Sequence, residues 1–211
     1  SKTQLLSYYK NSPAVVIISQ QNGAKAIRDA AAEIKALQAS FAANEVPVLL
    51  LNSNPADNRD TIAAEMASLG LDVPVLIDDT QLVGEGLGVS RVAQAFVIQP
   101  KTWKVVYSGP ISSGQNAYVA DAVKSLVAGT PVRISTAELK TPPMAFPNRD
   151  RKAEFARISY EKEIAPILAK NCVSCHAEGG IAPFAMNSYD VVKQFGPMIR
   201  EAIRTDRMPP Y

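Results

Sequence analysis

In the first 135 residues, short apolar runs alternate with longer amphipathic stretches. The runs are rich in β-branched residues and have the length of strands that are covered on both faces. The amphipathic stretches carry apolar residues at helical spacing, as at Ile27, Ile34, Leu37 and Phe41. Strands are predicted at 14–19, 46–51, 73–77, 95–98 and 103–107, and helices around 27–41 and at 62–69, 80–87 and 117–126. The order β-α-β-α-β-α-β-β-α predicts a central, partly parallel sheet with helices on both faces.

The pattern changes after this region. Residues 132–152 contain three prolines, several charges and no sustained periodicity, which is typical of a linker. We therefore expect a first domain at 1–135, a linker at 136–153 and a second domain at 154–211. In the second domain an apolar stripe precedes residue 170, and a helix is predicted from Tyr189 to about Thr205, capped by Asn187 or Ser188.

Composition and charge exclude several classes of protein. Apolar residues make up 47% and charged residues 20% of the 211 residues, as in chains that bury a core. A net charge of +2 gives no reason to expect nucleic acid as a partner. No apolar stretch approaches the ~20 residues that a membrane span needs, so no span is expected.

Candidate chemistry is concentrated in Cys172-Val173-Ser174-Cys175-His176, which contains both cysteines and the only histidine of the chain. This C-x-x-C-H spacing is the attachment pattern of one covalent haem c. Two thiols can bond to one porphyrin edge while the adjacent imidazole binds the iron. A structural zinc site would need four ligands, and the chain has too few cysteines and histidines. A disulfide or a redox-active dithiol stays an alternative, although neither needs the adjacent histidine.

The opposite face of the iron needs a second ligand, and a methionine thioether is the usual one in electron carriers. Met208 is favoured, because Pro209 and Pro210 hold the backbone after it. Met198 and Met186 are the alternatives, whereas Met66 is expected in the core and Met144 in the linker. The Gly179-Gly180 pair leaves room for a close approach to a flat ring. A backbone carbonyl at Ala182-Pro183 is expected to accept from His176 Nδ1.

The element order of the first domain resembles the thioredoxin fold, in particular its redoxin branch, over residues 10–130. The residue matches are Ser19, Asn52, Pro55, Arg91 and Ala95-Phe96-Val97. Residues 19–23 stand where this family carries its nucleophilic cysteine, and residues 92–94 stand where it carries a cis-proline. No cysteine occurs before residue 172, so thiol chemistry is not expected in this domain. It is interpreted as a scaffold or docking domain. The alternative is a rebuilt polar site at Gln20, Gln21 and Asn22 that holds an anion at a helix start.

The second domain resembles a class I cytochrome c, and the two-domain arrangement resembles bacterial redoxin–cytochrome c fusion proteins. The matching phrases run from Ile164 to Leu168, from Gly179 to Phe184 and from Met208 to Tyr211. The resemblance implies that Cys172 and Cys175 attach the haem, with His176 as proximal and Met208 as distal ligand. The chain departs from the family by lacking the C-terminal helix, so a longer polypeptide, a further domain or a subunit is expected to cover that haem edge.

The fold class expected is an α/β thioredoxin-like domain followed by a small all-α cytochrome c domain. The function expected is electron transfer between redox protein partners by a periplasmic or exported carrier whose signal peptide has been removed. No catalytic residues are expected. The alternatives are a haem enzyme of peroxidase-like or small-ligand-binding type, a haem that mainly stabilises a small domain, and the N-terminal part of a larger multidomain oxidoreductase.

Overall fold

The computed structural model describes residues 6–209 of the 211. The chain divides into two compact units, Ser1–Ala145 and Phe146–Tyr211, called unit 1 and unit 2 below. Unit 1 contains a five-stranded sheet with helices, and the described part of unit 2 is helical. Within the described residues, no helix is both long enough and apolar enough to cross a membrane.

Unit 1 has the predicted order of elements. They are β1 (Val15–Gln20), α1 (Lys25–Phe41), β2 (Val48–Asn52), α2 (Arg59–Leu69), β3 (Val75–Ile77), α3 (Leu82–Leu87), β4 (Ala95–Gln99), β5 (Lys104–Gly109) and α4 (Tyr118–Val127), with short 3-10 turns at Leu6–Tyr9 and Ala42–Asn44. Their ends differ from the predicted ones by a few residues, because the last turn or rung of an element depends on capping more than on periodicity.

The sheet of unit 1 has the strand order β3-β2-β1-β4-β5. Strands β1, β2 and β3 are parallel, and β4 and β5 run antiparallel to their neighbours as a hairpin. Ile17 of β1 stands opposite Leu49 on one side and Phe96 on the other. All six residues of β1 are buried, as expected of a central strand covered on both faces.

Helices on both faces complete the core of unit 1. The four residues of α1 that the helical spacing singled out, Ile27, Ile34, Leu37 and Phe41, are the buried ones of that helix. Helix α4 buries Val119, Ala122 and Val123 in the same way. The predicted partly parallel sheet with helices on both faces is therefore confirmed.

The segment 136–145, part of the expected linker, is attached to unit 1. Val92 N donates to Pro142 O at 3.0 Å, and Met144 N donates to Ser90 O at 2.9 Å. The Met144 side chain is buried, with 4% of its surface exposed. The boundary between the units consequently falls inside the expected linker rather than at its start, because these backbone pairs fasten its first ten residues.

Unit 2 is helical but has few buried side chains. Its elements are α5 (Pro147–Asp150), α6 (Lys152–Phe155), a π-helical turn (Tyr160–Ile164), α7 (Ala165–Asn171) and α8 (Tyr189–Arg204). Ser188 caps α8 by accepting from Val191 N, which confirms one of the two predicted caps. Among the described residues of unit 2 only Phe146, Leu168, His176 and Met186 are buried, and none of them lies on α8.

Candidate functional site

The C-x-x-C-H segment forms a tight turn at the end of α7. Cys172 N donates to Leu168 O at 2.8 Å, which continues the helical pattern by one residue. The Cys172 carbonyl then accepts from Cys175 N at 3.1 Å and from His176 N at 2.9 Å. The two cysteines do not form a disulfide. Cys172 is half-buried and Cys175 is exposed, and burial raises the pKa of the Cys172 thiol.

His176 is the most buried residue of this segment, with 7% of its surface exposed. Its Nδ1 atom lies 2.9 Å from the carbonyl oxygen of Phe184. A carbonyl oxygen can only accept, so Nδ1 carries a proton, and in the neutral imidazole the lone pair is then on Nε2. The structure thus supplies the expected backbone acceptor at Phe184, one residue beyond the predicted Ala182-Pro183 pair.

Two backbone hydrogen bonds hold the loop after His176 against the C-x-x-C-H turn. Ala182 N donates to Cys175 O at 3.1 Å, and Met186 N donates to His176 O at 2.7 Å. Gly180 lies inside this loop, and a Cβ atom there would stand 2.5 Å from Cys175 O. Only glycine fits so close to another backbone group. The close approach at Gly180 is therefore made to the backbone of the C-x-x-C-H turn.

Aromatic rings connect this loop to helix α8. The Phe184 ring lies 5.0 Å from the His176 ring, tilted by 57°. On α8, Phe195 stacks on Phe184 with ring centroids 4.2 Å apart and planes 19° apart. The sequence carried no signal for this stack, because the two residues come from separate elements.

The five methionines occupy different environments. Met66 lies in the core of unit 1, as predicted, and Met144 is buried there too. In unit 2, Met186 is buried, and its backbone N donates to His176 O. Met198 and Met208 are 45% and 44% exposed. Met208 N donates to Ala202 O at 3.2 Å, which anchors the residue to the end of α8. Which methionine serves as a ligand stays a prediction.

A metal site made of protein side chains alone is not found in the described part of the chain. No group of three or more histidine, cysteine, aspartate or glutamate side chains is placed there to hold a metal ion. Cys172, Cys175 and His176 are included in that statement.

In unit 1, a buried polar network fills the position where the redoxin branch carries its cysteine. Asn52 Nδ2 donates to Gln20 Oε1 at 2.7 Å and to Asp57 Oδ2 at 2.8 Å. Gln20 Nε2 in turn donates to Asn22 Oδ1 at 2.8 Å. Gln20 and Asn52 are almost completely buried, and the network satisfies their amide groups.

Carboxylates of the chain itself lie at the start of α1. Asn22 N donates to Asp57 Oδ2 at 3.0 Å, and Gly23 N donates to Glu65 Oε1 at 3.1 Å. These two amides are therefore not free for an external anion, which would also meet two negative charges. The structure therefore argues against the anion site at Gln20, Gln21 and Asn22, and the scaffold or docking role of unit 1 stays a prediction.

Residues 92–94, at the position of the family's cis-proline, join β1 by hydrogen bonds. Ala93 N donates to Ser19 O at 2.9 Å, and Gln94 N donates to Ser19 Oγ at 2.9 Å. Ala93 has a positive φ of 57°, which is uncommon for a residue with a side chain. Ser19 thus fastens this loop from within the sheet.

Comparisons with known proteins identify the fold of unit 1. No protein-family model matches the chain, and no curated protein matches it. Among solved structures, a hypothetical protein from Sinorhizobium meliloti 1021 is similar with a TM-score of 0.55 and 20% identity, over 65% of this chain and 79% of that one. An uncharacterized conserved protein from Geobacillus kaustophilus matches with a TM-score of 0.55 and 22% identity, over 65% of this chain and 77% of that one.

A further similar structure is a thioredoxin-like protein in the oxidized form, with a TM-score of 0.51 and 12% identity, over 61% of this chain and 87% of that one. Together with the mixed sheet, these likenesses show that unit 1 has a thioredoxin-like α/β fold. At such identities they show the fold alone. The assignment of unit 2 as a cytochrome c domain stays a prediction.

Proposed function

We propose that unit 2 carries one covalent haem c and that the protein transfers electrons between redox protein partners. The observation that carries this proposal is the 2.9 Å contact between His176 Nδ1 and Phe184 O within a C-x-x-C-H turn. Metal-binding histidines characteristically donate their second ring nitrogen to a carbonyl or carboxylate, which fixes the ring and raises its basicity. A structural histidine would not need two cysteines at this spacing.

The residues present fit such a group. Cys172 and Cys175 would hold it through thioether bonds, formed when each S–H adds across a vinyl double bond, and His176 Nε2 would bind the iron. Met208 is proposed as the second residue that would bind the iron, through its thioether sulfur. When bound, the haem supplies a one-electron couple that the side chains of this chain lack.

The apolar surface of unit 2 supports this assignment. Helix α8 has a pronounced apolar face at Val192, Phe195 and Ile199, and all three side chains are only half-buried. Ile167 and Ile181 are 55% and 90% exposed. A porphyrin needs apolar contacts of this kind on both of its faces. Unit 2 has 66 residues, and four side chains are buried in its described part. So small a core gains stability when a group is bound to it.

Unit 1 is proposed to act as a scaffold or docking domain, since it has no cysteine and its polar network is internally satisfied. Haem attachment of this type takes place outside the bacterial cytoplasm in the proteins that unit 2 resembles. We therefore propose a periplasmic or exported location.

Intact mass together with an optical spectrum of the full-length chain tests the covalent haem. We expect one haem-sized adduct and the visible bands of a low-spin c-type haem. Cys172→Ala together with Cys175→Ala should abolish the adduct, whereas Ser174→Ala, inside the same turn, should leave it intact. A colourless wild-type chain with two reactive thiols, made in a host that attaches haem, would refute the proposal.

Replacing Met208 tests the second ligand. Met208→Ala should remove the weak long-wavelength absorption band of a thioether-ligated ferric haem and convert the iron to high spin. Met198→Ala, which alters a methionine of equal exposure, should leave both features unchanged. If Met208→Ala has no effect on the spectrum, another residue is the ligand. If the wild-type chain is already high spin, an enzyme with an open iron position replaces the carrier as the better proposal.

A further inference from the structure

The orientation of His176 depends on a loop that has no regular secondary structure. Residues 177–187 contain neither a helix nor a strand. Within the described residues, the ring of His176 donates its hydrogen bond to the Phe184 carbonyl of this loop. A carbonyl in such a loop keeps its direction only if nearby contacts fix the backbone around it.

Backbone contacts fix both sides of Phe184. Ala182 N and Met186 N, two residues before and two after it, donate to Cys175 O and His176 O. These bonds place the loop against the turn, but neither of them is made by a backbone group of Phe184 itself. The Phe184 side chain supplies the remaining constraint.

The Phe184 ring lies between two other rings. It contacts the His176 ring at 5.0 Å and stacks on Phe195 at 4.2 Å. Phe195 belongs to α8, a helix of 16 residues whose backbone conformation is set by its regular hydrogen bonds, which the loop lacks. Stacked aromatic pairs contribute beyond the area that they bury and have a preferred geometry.

We propose that Phe195 is a positioning residue for His176 and acts through the ring and the carbonyl of Phe184. Helix α8 thereby determines the tautomer and the direction of the imidazole. As a statement about the axial ligand this inference rests on the proposed haem function, but the positioning itself is a property of the chain and can be measured separately.

The single histidine makes the test specific, because a chain labelled with 15N-histidine gives the ring signals of His176 alone. The measurement is the solvent exchange rate of the Nδ1 proton in the reduced, full-length chain as purified. Phe195→Leu, which keeps an apolar side chain but loses the stack, should speed this exchange by about two- to tenfold. Phe195→Tyr, which keeps the ring, should restore the wild-type rate.

Tyr189→Leu is the matched control. Tyr189 also belongs to α8 and also makes an aromatic pair, with Tyr160 at 4.9 Å, but it has no ring contact with Phe184. If Phe195 acts only by holding α8 in place, Tyr189→Leu will speed the exchange as much as Phe195→Leu does, and the inference is then wrong. An unchanged exchange rate in Phe195→Leu also overturns it.

The midpoint potential gives a second readout in the haem-loaded chain. A weaker bond at Nδ1 makes the imidazole less basic, so the potential of Phe195→Leu should shift to more positive values and that of Tyr189→Leu should not. The two proposals fail separately. A missing haem adduct refutes the proposed function while the exchange test still applies, and an unchanged exchange rate refutes the positioning role while the adduct remains.

Discussion

Asn52 connects the ends of two parallel strands through one buried amide. Its Nδ2 atom donates to Gln20 Oε1 and to Asp57 Oδ2, and its Oδ1 atom accepts from Asn54 N at 2.9 Å. Both the amide nitrogen and the amide oxygen of this side chain therefore have partners inside the protein. A buried polar group that loses its partner costs more than the bond itself contributes, since the partner cannot return to water.

We predict that Asn52→Leu lowers the free energy of unfolding of unit 1 by about 2 kcal/mol, because it leaves Gln20 Oε1 buried without a donor. Urea unfolding followed by Trp103 fluorescence measures this, since the only tryptophan of the chain lies in unit 1. Asn44→Leu is the control, because Asn44 is exposed and the same replacement there should change stability by less than about 0.5 kcal/mol. Equal effects of the two replacements would contradict the prediction.

At the scale of residues, spacing alone allowed the C-x-x-C-H segment to be singled out, because the chemistry fixes the order of the side chains. The partners of these residues were harder to predict. The carbonyl acceptor for His176 was expected at Ala182-Pro183 and lies at Phe184, since the loop is held two residues further along by Met186. The Asp57 and Glu65 carboxylates that accept from amides at the start of α1 lie 35 and 42 residues further along the chain. No local sequence pattern therefore indicates these contacts.

Helix α2 shows how an element acquires its ends. Asn58 accepts from Asp60 N and Thr61 N at 3.0 Å, and Thr61 Oγ1 accepts from Asn58 N, also at 3.0 Å. This reciprocal capping box satisfies amides that the helix leaves without partners. At the other end, Gly70 has a φ of 58°, the left-handed conformation that terminates many helices.

We predict that Asn58→Ala destabilises unit 1 by about 1 kcal/mol, because the first turn of α2 loses its side-chain acceptor. Asn58→Ser should be much closer to the wild type, since serine also caps helices well. Midpoints of urea unfolding compare the three chains. If the serine variant loses as much stability as the alanine variant, the cap is not what stabilises this end.

At the scale of elements, periodicity predicted the strands and helices of unit 1 because almost every one of them has a buried face. Helix α3 had a less regular pattern and was predicted two residues too long at its start, where Gln81 has a φ of 61°. In unit 2 the cap at Ser188 was predicted correctly. The π-helical turn Tyr160–Ile164 was not predicted, since its residues have ordinary helical spacing.

The whole molecule consists of two units with very different interiors. Unit 1 has an extensive core around a central sheet, whereas unit 2 keeps most of its apolar side chains partly exposed. Proline content indicated a linker, but composition could not show that the segment 136–145 pairs with unit 1. That pairing is made by backbone groups of Ser90 and Val92, so the pattern of apolar and polar side chains does not indicate it.

We predict that a fragment ending at Ala145 is more stable than one ending at Ser135 by about 3 kcal/mol. The shorter fragment loses the burial of Met144 and the backbone hydrogen bonds to Ser90 and Val92. Urea unfolding of both fragments, followed by circular dichroism, gives the difference. Fragments of equal stability would show that the segment 136–145 adds nothing to unit 1.

The carboxylates of Asp57 and Glu65 have a consequence for the engineering of unit 1. A helix start normally helps a cysteine to ionise, and many redox enzymes rely on this effect. Here negative charge would oppose ionisation, so a cysteine introduced at Asn22 would be a slow nucleophile. A reactive thiol at this helix start would therefore require replacement of both acidic side chains together with the new cysteine.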